Sequence, residues 1–150
     1  MKRFIIALTV SFVLLNLTLM SANAESKKVK VVYHFNSDDQ KIHKAGLINI
    51  QNHLDAVGKE NVEIIAVLHG AGLTMLQKGK TDDDNFLRVA ELKRQGVKFG
   101  VCNVTITRQK LNKDELFVGQ EKIKDSDIVP SGVAEIARLQ AEQGFAYIKP

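Results

Sequence analysis

Three times in this chain a glycine ends a helical run and an apolar run follows within a few residues: Gly58 before Val62–Leu68, Gly96 before Val97–Val101, and Gly144 before Phe145–Ile148. Glycine accepts the left-handed conformation that closes a helix, which other residues resist. A further run, Val29–Phe35 (VKVVYHF), stands ahead of the first helix. Strand, helix, glycine and strand in repeated order is the pattern of βαβ units, and their crossovers place a parallel sheet between two layers of helices. The run Val62–Leu68 (VEIIAVL) is almost continuously apolar, as expected of a strand covered on both faces. The predicted class is therefore α/β, a three-layer α/β/α arrangement with a mainly parallel sheet.

Local signals place the other elements. Ser37 followed by Gln40 is a capping-box pattern, and Leu47, Ile50, Leu54 and Val57 then recur on one helical face. The acidic run Asp82-Asp83-Asp84 suits the positive end of a helix dipole, predicting a helix over Asp84–Gln95 with Phe86, Val89 and Ala90 inward. A short helix within Asn103–Leu111, a turn at Asp114–Phe117 and a short strand within Ile123–Val129 follow. Pro130 and Ser131 favour a helix start, with Ser131 as cap and Val133, Ile136 and Ala137 on the inner face.

The N-terminus reads as an export signal. Lys2 and Arg3 precede an apolar run from Phe4 to Met20, and Ser21-Ala22-Asn23-Ala24 supplies a small-residue cleavage site. The run is short for a membrane span and is interrupted by Thr9, Ser11, Asn16 and Thr18, which favours cleavage over anchoring. Residues 1–24 are thus expected to be a cleaved signal peptide and 25–150 a single domain, soluble in the periplasm of a Gram-negative cell and off the membrane. Lys2 and Arg3 are two of 21 basic residues, and none of the 17 acidic ones lies in the signal, so the mature charge is only +2. That excess gives no reason to expect a nucleic-acid partner.

The mature chain has one cysteine, Cys102, in the stretch Phe99–Ile106 (FGVCNVTI). One thiol forms no internal disulfide, so it is buried and inert, paired with another chain, or reactive. In parallel α/β sheets ligands bind beyond the carboxyl ends of the strands. Those ends carry His34 and Asn36, then His69 with Gly70 and Gly72, then Cys102 with Asn103. Asn103 or Thr105 can cap a helix starting just after Cys102, leaving amide groups that favour a thiolate; the alternative is a small buried hydrophobe. His69 with Gly70-Ala71-Gly72 reads either as a turn whose amides approach an anion or as a histidine bonded to backbone. His34 carries the same two readings, and side-chain alternation turns it toward a helix layer. His43 and His53 read as surface or boundary residues. His34, His69 and Cys102 could together bind zinc or copper, but no tight local spacing marks a metal site and no cofactor is expected.

Three stretches resemble the DsrE/DsrF-like family of sulfur-relay proteins, in particular its exported single-domain members: VLHGAGL at Val67–Leu73, FGVCNVTI at Phe99–Ile106, and VPSGVAEIARLQAEQGFAYIKP at Val129–Pro150. The likeness runs over the mature chain from Val29. It implies a sheet of about five strands and a homo-oligomer, trimeric or hexameric. It also implies that Cys102, the one position matching the family's cysteine, carries a persulfide between a sulfur donor and an acceptor protein. No role for His69 or His34 follows from the family; they are proposed from strand-end geometry, His69 as the group that orients or deprotonates the thiol. The expected function is a periplasmic thiol-based sulfur carrier, of sulfurtransferase type if it is an enzyme. The alternatives are a non-catalytic oligomeric small-molecule-binding module and a Cys/His metal-binding protein.

Overall fold

The structure is a computed structural model that describes residues 28–150. Residues 1–24, expected from sequence to be a signal peptide, lie outside the described residues. Strand β1 (Val29–Phe35) leads into helix α1 (Gln40–Val57), β2 (Val62–Leu68), a 3₁₀ segment (Gly70–Leu76), α2 (Asp83–Arg94) and β3 (Lys98–Cys102). Then come α3 (Asn103–Arg108), a hairpin of β4 (Phe117–Val118) and β5 (Glu121–Lys122), β6 (Ile128–Val129), α4 (Gly132–Gln143) and β7 (Ala146–Ile148). The main sheet has five strands in the order β6-β3-β2-β1-β7, every pair parallel.

This order decides which face each helix covers. From β1 to β2 to β3 the chain steps in one direction, so right-handed crossovers put α1 and α2 on the same face. Leu47, Ile50 and Leu54 of α1 and Val89 and Leu92 of α2 meet Val31, Tyr33, Phe35, Ile64, Ala66 and Leu68 there. From β6 the chain returns across the whole sheet to β7 at the opposite edge, which reverses the direction and sends α4 to the other face. Ile136 and Leu139 of α4 pack there on Val32 and Val67, with Phe145. Each fully buried Leu or Ile removes enough apolar surface to stabilise the fold by about 1.5–3 kcal/mol, so these two clusters hold the layers together.

Several expectations change in detail. The N-cap of α1 is Asp39, whose carboxylate accepts from the Lys41 amide at 2.8 Å, while the Ser37 hydroxyl accepts from the Asp39 amide at 3.1 Å. Gln40 is not the return arm of a capping box. Its side-chain oxygen accepts from the Asp82 amide at 3.2 Å and from the side-chain amide of buried Asn85 at 3.1 Å, tying the starts of α1 and α2 together. The inner face of α4 is Gly132, Ile136 and Leu139; Val133 is 59% exposed and Ala137 is also exposed. His43 is completely buried, and its Nε2–H donates to the Ser37 carbonyl at 2.6 Å. The acidic run behaves as expected, with Asp82 capping α2 and Asp83 and Asp84 in its first turn.

Candidate functional site

Alternation and register assemble the site. His34 pairs with Val67, and Leu68 with Val101, so the next residues, His69 and Cys102, come level at the carboxyl ends of neighbouring strands. Val32 and Val67 face α4. His34, two residues after Val32, and His69, two after Val67, therefore turn to that same face. Alternation does direct His34 into a helix layer, and it is the layer that holds His69.

The two imidazoles meet tip to tip. His34 Nε2 lies 2.6 Å from His69 Nε2, and His34 Nδ1 lies 2.7 Å from the hydroxyl of Tyr147 on β7. The ring centroids are 4.7 Å apart with planes inclined at 24°, a separation that the Nε2 contact produces when the rings approach end-on rather than face to face. A hydrogen bond between two ring nitrogens requires one to donate and the other to accept, so the pair shares a single proton. Burial, then His69 and Lys149, push His34 down to about 4; burial and Lys149 also lower His69. Both rings are therefore neutral at physiological pH.

This has a consequence for stability. The unfolded chain binds a proton at His34 near pH 6.5, whereas the folded chain does so only near 4. Between those values the unfolded state holds more protons, so stability present above pH 6.5 is lost progressively as pH falls toward 4. Denaturant titrations across this window should show a shallower decline in His34→Gln than in the parent; an identical decline would remove the claim.

Cys102 closes β3 and occupies the N-cap position of α3, so the cap is the cysteine itself and not Asn103 or Thr105. Only 3% of the residue is exposed, yet it lines a cleft of about 260 Å³ with His69, Gly70, Val104, Thr105, Arg108, Gln109, Ser131 and Val133. The lining contains one cation, Arg108, and no carboxylate. Burial pushes the thiol up, but the Thr105 hydroxyl and the amides of Gly132, Thr105 and Val104 outweigh it and hold the thiol below its ordinary range. The sulfur makes no capping bond to α3, and the Val104 amide is also donated to the Pro130 carbonyl at 3.3 Å. These amides act as dipoles aimed at the sulfur rather than as closed bonds. The Thr105 hydroxyl oxygen accepts from the Gly70 amide at 2.8 Å, which leaves its own proton free for the sulfur.

Gly132, the first residue of α4, brings a second helix start to the thiol. A Cβ there would stand 2.9 Å from His69 Cβ and 3.3 Å from Cys102 Cβ. Only glycine lets the start of α4 approach both groups.

The model of the DsrE/DsrF-like family matches residues 27–150. The chain belongs to the DsrE/DsrF-like family. That family is associated with sulfur relay. The chain is also similar to a solved structure titled as a protein of unknown function, MTH1491 from Methanobacterium thermoautotrophicum. The two share 31% identity over 82% of this chain and 100% of that one, with a TM-score of 0.69. No match is found among curated proteins.

Within this DsrE/DsrF-like domain the residues singled out from sequence fall into two sets. Cys102, His69 and Gly70 line the cleft, and His34 joins it through His69. Asn36, Gly72 and Asn103 do not line it. The Gly70 amide is donated to the Thr105 hydroxyl of α3 and the Gly72 amide to the His69 carbonyl at 3.0 Å, so both amides are already engaged within the protein. Asn103 is exposed. Ser131 holds the N-cap position of α4, but its hydroxyl caps nothing and lines the cleft instead. Sequence alone offers Thr105 only as a cap and gives no role to Gly132, Tyr147 or Lys149. Of these, Gly132 carried a local signal, a glycine at a helix start where nothing about helix formation calls for one. Among the described residues no three His, Cys, Asp or Glu side chains are placed to hold a metal ion, and no helix is long and apolar enough to cross a membrane.

Proposed function

We propose that this DsrE/DsrF-like protein is an exported sulfur carrier in which Cys102 takes up sulfane sulfur as a persulfide and passes it to an acceptor. The observation that carries this reading is the position of the Cys102 sulfur on a cleft, with the Thr105 hydroxyl and the amides at the starts of α3 and α4 directed at it. A thiolate is the nucleophilic form of sulfur, and these donors stabilise it.

In the loading step the Cys102 thiolate attacks the outer sulfur of a donor R–S–SH. A new S–S bond forms on Cys102, the donor S–S bond breaks, and its electron pair leaves as R–S⁻. In unloading, an acceptor thiolate attacks the outer sulfur of the Cys102 persulfide and regenerates the Cys102 thiolate. His69, which lines the cleft with Cys102, serves as its acid–base group.

Mass spectrometry of the folded protein after exposure to polysulfide should show single-sulfur adducts on Cys102 that are absent from Cys102→Ser. Equal adducts in that variant would end the proposal, and a thiol that reacts only after unfolding would favour a non-catalytic binding module. Export is part of the reading. It rests on the basic, apolar and small-residue succession of residues 1–24, and fractionation of cells followed by sequencing of the mature N-terminus checks it. Self-association into trimers or hexamers is proposed from family membership, and light scattering of the mature chain tests it.

A further inference from the structure

The geometry points to Tyr147 and His34 as a proton relay that ends on His69, supplying the cleft with a proton when a thiolate leaves it and taking one back when a thiol enters. The inference rests on the thiol exchange assigned above to Cys102, and it adds two residues that touch neither the sulfur nor the cleft.

Three side chains form an unbroken chain of hydrogen bonds: the Tyr147 hydroxyl to His34 Nδ1 at 2.7 Å, then His34 Nε2 to His69 Nε2 at 2.6 Å. One end is open to solvent, since Tyr147 is 41% exposed. The other end lines the cleft with Cys102. His69 uses Nε2 to meet His34, so the relay would exchange its proton with the cleft through Nδ1.

Proton transfer along such a chain balances without charging either ring. When R–S⁻ departs from the donor, His69 Nδ1–H protonates it. In the same concerted step His69 Nε2 takes the proton of His34 Nε2–H, His34 Nδ1 takes that of Tyr147, and Tyr147 takes one from a water molecule, whose hydroxide passes to the solvent. Each imidazole ends neutral in its other tautomer. When an acceptor thiol enters and must ionise, the same chain runs backward and resets both rings. A relay of this kind suits a place where an extra proton cannot be stored. Burial and Lys149 disfavour the imidazolium form of both histidines, and Cys102, Arg108 and Tyr147 are the other titratable groups around them. What enters at one end must therefore leave at the other.

The test uses two disulfide probes, which read thiol exchange at Cys102 whether or not the protein carries sulfur in the cell. A dialkyl disulfide releases a basic thiolate that needs protonation; a diaryl disulfide with electron-withdrawing rings releases one that does not. In Tyr147→Phe the folded protein should react about tenfold more slowly than the parent with the alkyl probe and at the parental rate with the aryl probe. His34→Gln, which keeps a side-chain hydrogen bond but has no second exchangeable tautomer, should show the same split. Equal slowing with both probes would reduce Tyr147 and His34 to structural roles, and equal parental rates with both would overturn the relay. Failure of Cys102 to take sulfur from polysulfide while the split persists would refute the carrier reading and leave the relay standing.

Discussion

Alanine in place of Gly72 is expected to lower the free energy of unfolding by about 3 kcal/mol, the upper end of what overpacking costs. A Cβ at this position would collide with the Phe35 carbonyl oxygen and lie 2.7 Å from its carbon. Both atoms are backbone of β1, a strand paired on both sides, so no rotamer change relieves the clash. The 3₁₀ segment would have to lift away. It carries Leu73, Met75 and Leu76, each fully buried, and it starts immediately after His69. Two readouts should therefore move together: the urea midpoint falls, and the environment of the His34–His69 pair changes in histidine NMR spectra. A Gly72→Ala protein within about 0.5 kcal/mol of the parent, the usual range of neutral surface changes, would show that the contact is not as tight as described.

Thr105→Val should slow alkylation of native Cys102 at neutral pH by about tenfold. The valine keeps the shape of the side chain and removes the hydroxyl that stabilises the thiolate, and a hydrogen bond to an ionised group is worth about one pKa unit or somewhat more. The sign follows from the reactive form. With the hydroxyl gone the thiol ionises at higher pH, so the whole rate profile moves to the alkaline side while the plateau rate changes little. Valine also strips the Gly70 amide of its acceptor, so some loss of stability accompanies the change. Thr105→Ser separates the two effects, because it restores both the donor and the acceptor and should return the profile toward that of the parent. Identical profiles for Thr105→Val and the parent would mean that the hydroxyl does not act on the sulfur.

Much of the fold is legible along the chain because it depends on near neighbours. The strands at Val29–Phe35 and Val62–Leu68 lie where composition places them, the acidic cap starts α2, and Gly144 ends α4 in the left-handed conformation. The hairpin of β4 and β5 left little trace, since two-residue strands are too short to show a period. Phe117 of that hairpin packs edge-on against Phe86 of α2, a contact no local pattern announces. His43 looked like a boundary residue because periodicity reports only which side of a helix is apolar. Its burial follows from the packing of α1 against the end of β1, where Phe35 meets its ring edge-on at 6.4 Å.

The candidate site divides along the same line. That His34, His69 and Cys102 end three strands, and that such ends gather chemistry in a parallel sheet, follows from residue order alone. Which of them meet does not. Tyr147 reaches His34 across 113 residues of sequence only because the chain returns over the whole sheet to place β7 beside β1. Gly132 faces Cys102 and His69 only because α4 begins at the end of β6, the strand paired with β3. Dihedral preference and apolar spacing act over a few residues and so are written in the chain. Register, facing and the choice of partner are decided by which surfaces exclude water together, and that is settled only when the layers close.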